Sequence, residues 1–91
     1  MDRWSCDRDP EERLARFVAE AELECRDMGG LATYPGSRHW HLKRPGERGV
    51  LELTWDPVQE QAWLKVARNR QADWINESAK ALVAALTSPN G

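Results

Sequence analysis

Apolar side chains recur at helical spacing near the start of the chain: Leu14, Phe17, Val18, Ala21, Cys25 and Met28 stand three or four residues apart, which is one stripe of a helix. Asp9-Pro10-Glu11-Glu12 precedes the stripe. Asp9 can accept from the free amides of a first turn, Pro10 loses nothing there, and both glutamates sit well at the positive end of the dipole. Gly29-Gly30 offers a left-handed stop, so the pattern predicts a helix reaching Met28. Cys25 is expected to pack in the stripe as a small hydrophobe. Leu23 lies off it and is expected to be exposed or to meet a partner.

After the turn signal Pro35-Gly36 the period changes to two. Residues 38–43 and 50–55 alternate, and 62–68 follow, separated by Pro45-Gly46 with Gly49 and by Asp56-Pro57. Short gaps make these strands antiparallel neighbours. Ile75, Ala79, Leu82, Val83 and Leu86 then restore a helical stripe, with Asp73 or Asn76 as N-cap and an end before Pro89. The predicted architecture is a two-layer α+β domain in the order α-β-β-β-α: a three-stranded antiparallel meander with both helices packed on one face. Residues 9–88 form this single domain. Residues 1–8 are expected to be a flexible leader carrying an isolated Trp4, and residues 89–91 a short tail.

Alternation sorts the strand residues into two faces. Trp40, Leu42, Leu51, Leu53, Trp55, Leu64 and Val66 form the better core. His39, His41, Lys43, Val50, Glu52, Thr54, Trp63 and Lys65 are left for an open face. The assignment of Trp63 is decided by cost: turning it inward would expose both Leu64 and Val66, at roughly 1.5–3 kcal/mol apiece. An outward indole beside histidines and lysines is the most function-like feature of the pattern.

Length and composition narrow the choices. The 91 residues allow one domain, and two or three of the five tryptophans, at on the order of 200 Å² of buried area each, can anchor a core that would otherwise be marginal. The net charge of −2 excludes a simple polycationic binder. Its acid excess lies in residues 1–30, with nine acids against five arginines, the usual mark of a solvated helix face. Two cysteines make no disulfide framework; Cys6 is expected exposed and both thiols reduced. No apolar run suits a bilayer span and no apolar h-region opens the chain, so a cytoplasmic location is expected.

Candidate chemistry is sparse. His39 and His41 share one side of a strand, a geometry that can chelate a transition metal, but no further ligand stands at a diagnostic spacing, and no metal or cofactor is expected. No nucleophile–base pair or phosphate-cradling glycine loop stands out, so catalysis is not expected. The helix–three strands–helix order is similar to that of the double-stranded-RNA-binding domain. In that family the second helix opens with a lysine-rich phosphate clamp; Ala72-Asp73-Trp74-Ile75-Asn76-Glu77 is neutral to acidic, and none of the family's contacts carries over. The sequence therefore points to a non-catalytic interaction module that binds a protein partner or self-associates, through the open sheet face or an edge strand. Its expected binding residues are Trp63, His39, His41, Lys43, Lys65 and Thr54. The alternative is single-stranded nucleic acid on the same face, with bases on Trp63 and phosphates met by Arg38, Lys43, Lys65, Arg68 and Arg70.

Overall fold

Three consecutive alternating segments do pair as an antiparallel meander. In the computed structural model, which describes residues 3–66 and 72–87, these are β3 (Arg38–Lys43), β4 (Leu51–Asp56) and β5 (Gln61–Val66). The register sets Trp40 opposite Leu53 and Leu42 opposite Leu51 on one side of β4, and Leu64 opposite Leu53 on the other. These side chains therefore share a face, and α1 (Glu11–Ala21) and α2 (Asp73–Thr87) bury their own stripes in the same core. Leu14 of α1 and Ile75, Ala79, Leu82 and Leu86 of α2 belong to one buried cluster with the strand leucines. Each of the leucines and Ile75 contributes roughly 1.5–3 kcal/mol of burial. The α+β class with two helices and an antiparallel sheet is as expected.

The sheet is wider than the alternation indicates. It has five strands in the order β1-β5-β4-β3-β2, with β1 (Trp4–Ser5) and β2 (Glu24–Asp27) added at its two edges. β1 comes from the segment expected to be a loose leader. Trp4 pairs with Ala62 and packs against the core, the Cys6 amide donates to the Glu60 carbonyl at 2.8 Å, and the Trp55 indole donates to the Cys6 carbonyl at 2.9 Å. Cys6 is consequently buried rather than exposed.

β2 exists because α1 stops earlier than the stripe suggests. Glu22 adopts the left-handed conformation, φ 58°. Its amide reaches back to Ala19 at 3.4 Å, and that of Leu23 to Val18 at 3.0 Å. This is a Schellman closure, in which the second residue past the helix packs an apolar side chain back onto the last turn. Leu23 is that residue and is buried, not exposed. The chain then extends, so Cys25 lies on an edge strand and is exposed, and Met28 is exposed as well. The expected glycine stop at 29–30 falls beyond β2. Arg38, at the end of β3, ties the pieces together by ion pairs to Asp9 at 3.0 Å, Asp27 at 2.9 Å and Glu11. These contacts hold its guanidinium pKa above the usual value, the Glu11 bond contributing most. The ends of the predicted third strand and the C-terminal tail, residues 67–68 and 89–91, lie outside the described residues.

Candidate functional site

Because successive strand residues point to opposite faces, the sheet presents to the side away from the helices Glu24 and Arg26 from β2, His39, His41 and Lys43 from β3, Glu52, Thr54 and Asp56 from β4, and Gln61, Trp63 and Lys65 from β5. Two cross-strand rows organise them. His41, Glu52 and Lys65 form one, and His39, Thr54 and Trp63 the other.

The centre of this face is a compact polar cluster. His39 Nδ1 lies 2.7 Å from Thr54 Oγ1, and both residues are buried. On the other side of the same ring, Nε2 lies 3.2 Å from Glu52 Oε1. His41 Nε2 approaches that same oxygen at 3.7 Å. The two imidazoles meet edge to face, with centroids 5.1 Å apart. Side-chain exposure is 11% for His39, 17% for Glu52 and 35% for His41, so the cluster opens to solvent on the His41 side. Burial pushes the His39 pKa down, and it outweighs the opposing pull of the Glu52 charge; His41 and Lys65 add to the lowering. That lowering favours the neutral imidazole beside Glu52. The tautomer that satisfies both contacts carries its proton on Nε2, facing the Glu52 oxygen, with Thr54 donating to Nδ1; the other would set an Nε2 lone pair against that oxygen.

The second feature is aromatic. Trp63 turns to the open face, and neither helix covers it. It is half-buried all the same, because Tyr34 from the β2–β3 connection meets it at a centroid distance of 5.0 Å and the Arg3 guanidinium lies 4.3 Å from its centroid. Arg3 also donates to the Tyr34 hydroxyl at 3.0 Å. The ring is thus already stacked on by this chain's own cation, worth about 0.5–2 kcal/mol.

Of the residues singled out in the sequence, Trp63, His41, Lys43 and Lys65 are partly or fully exposed on the open face. His39 and Thr54 are on that face but sealed beneath their neighbours. Val50 precedes β4 and is half-buried. Arg38 turns to the helix side, where its carboxylate partners occupy it, and Arg68 and Arg70 lie outside the described residues. Glu52, Arg3, Tyr34 and Arg26 complete the site. Glu52 was legible as an outward residue of its strand, but its convergence on both histidines depends on the β3–β4 register. Arg3 and Tyr34 arrive from segments with no periodic signal.

No family model, curated protein or solved structure matches this chain. No helix among the described residues is long and apolar enough to cross a membrane.

Proposed function

We propose that this protein is a small non-catalytic interaction module whose open sheet face binds an acidic segment of a protein partner. The observation that supports this most is the sorting of charge. The chain as a whole carries −2, yet among the described residues the exposed charges of the open face are Arg3, Arg26, Lys43 and Lys65 against one exposed carboxylate, Glu24. Asp56 is buried and Glu52 half-buried. Helix α1 is the opposite, with Glu11, Glu12 and Glu20 exposed beside Arg16 and Glu22 exposed just past its end. Such a polarised molecule steers an anionic partner to the sheet.

Two other occupants are less well supported. Stacking of nucleic-acid bases requires a free aromatic face, and Arg3 already lies on Trp63. Self-association by seating the acidic α1 of one copy on the cationic sheet of another is head-to-tail, and such contacts propagate rather than close unless the rotation happens to form a ring. Strand addition at β2 is opposed by the exposed Glu24, Arg26 and Asp27, the charges with which edge strands resist pairing.

Fluorescence anisotropy of a labelled Asp/Glu-rich peptide, run beside labelled oligo-dT, tests the reading. Peptide binding should weaken with added salt and be lost on joint Lys43→Glu and Lys65→Glu substitution. Oligo-dT binding tighter than the peptide, or peptide affinity unchanged by the double substitution, refutes it.

A further inference from the structure

We propose that His39, His41 and Glu52 form a binding site for a divalent transition-metal ion of the zinc class. The inference goes beyond the acidic-partner reading and does not depend on it. The chain contains two histidines, and both converge here with a carboxylate: one ring nitrogen of each histidine and a Glu52 carboxylate oxygen all lie within 4.8 Å of one another.

The spacing suits a metal better than it suits hydrogen bonding. Zinc bonds to nitrogen and carboxylate oxygen are about 2.0–2.2 Å, which places adjacent tetrahedral ligands about 3.4 Å apart. Glu52 Oε1 stands 3.2 Å from one imidazole nitrogen and 3.7 Å from the other. The latter is too long for a hydrogen bond. The distance that must narrow is on the His41 side, 3.7 Å from the Glu52 oxygen, and His41, the most exposed member, is the side chain with room to turn. Two nitrogens and one carboxylate oxygen leave a fourth position facing solvent, which is the set used where zinc keeps an exchangeable ligand.

The surroundings fit a ligand role for His39. Thr54 grips the far ring nitrogen, fixing the ring with Nε2 aimed into the cluster, as the outer partners of metal-bound histidines do. On metal binding the ring proton moves from Nε2 to Nδ1, where Thr54 Oγ1 accepts it. The neutral imidazole then donates its Nε2 lone pair with no net proton gained or lost. Lys65, directly across from Glu52, works against the cation, as do Arg26 beside His41 and Lys43 on the same strand face. This opposition provides a test in the direction of gain.

The test is a calorimetric titration of the full chain with Zn²⁺ alone, followed in parallel by the imidazole nitrogen resonances. One equivalent should bind, with both histidine Nε2 signals displaced. His41→Gln and Glu52→Gln should each weaken binding at least tenfold, and circular dichroism of His41→Gln, a surface change, should match the parent. Lys65→Met should tighten binding roughly two- to tenfold. Absence of zinc binding at millimolar ion, affinity indifferent to His41→Gln, or unmoved imidazole signals overturns the proposal.

Discussion

Replacing Thr54 with valine isolates the contact that orients the central histidine. Valine keeps the shape of threonine and removes the hydroxyl lying 2.7 Å from His39 Nδ1, at a position 2% exposed. A buried polar group stripped of its partner costs about 1–3 kcal/mol, and the added apolar carbon returns up to about 0.8 kcal/mol. The net expectation is a loss of about 1–2 kcal/mol. With an unfolding entropy near 2.1 cal/mol/K per residue, 91 residues give about 190 cal/mol/K, so Tm should fall by about 5–10 °C. The assay is thermal and urea unfolding of Thr54→Val, His39→Leu and the double variant. Removing both polar partners is far cheaper than removing one, so the double variant should recover about 1 kcal/mol relative to additivity. Strict additivity, or a Thr54→Val protein as stable as the parent, would refute a buried Thr54–His39 bond.

Other consequences are equally concrete. Trp74→Phe should cost at least about 1 kcal/mol more than Trp4→Phe in urea unfolding, because the Trp74 indole donates to the Arg48 carbonyl at 2.7 Å while the buried Trp4 Nε1 has no partner among the described residues. A maleimide should label the exposed Cys25 in the native state and the buried Cys6 only on unfolding. Burial raises both thiol pKa values, so the native reaction should quicken as pH rises above 8, and Cys25→Ser should abolish it; two equally fast thiols would contradict the placement of β1. The Gly29 amide, and after it Arg38, holds the Asp27 carboxyl below the usual carboxylate range. A depressed pKa contributes stability that is present above the unfolded-state value and is lost as pH falls through the folded-state one. Asp27→Asn should therefore flatten the acid side of the stability profile below about pH 4, and an unchanged slope in urea midpoints between pH 5 and 2 would count against it.

What could be read from the chain was what repeats. The meander, the core face from Trp40 to Leu64 and α2 all follow from unbroken periodicity, and the outward phase of Trp63 followed from the cost of exposing Leu64. What escaped depended on single residues. The end of α1 is set by Glu22 in a conformation usually given to glycine, so the search for a stop ran on to Gly29. Leu23 looked misplaced because it is the apolar residue closing a helix end, not a member of the stripe. β1 is two residues long, too short to show alternation. The histidines were visible as a pair, but the third member of their cluster is separated by a turn. It becomes a neighbour only through the pairing of His41 with Glu52.

The claim underlying the functional account is that the partner meets the sheet face and not the helices. The chain's five indole N–H signals report on this directly, since Trp63 faces the open side while Trp40 and Trp74 are buried in the core. During titration with the acidic peptide, the Trp63 indole resonance and the amides of His41, Lys43 and Lys65 should move first and together, with Trp40 and Trp74 still. Movement of Trp74 and the outer amides of α1, with Trp63 unmoved, would place the binding surface on the helical layer and contradict the account.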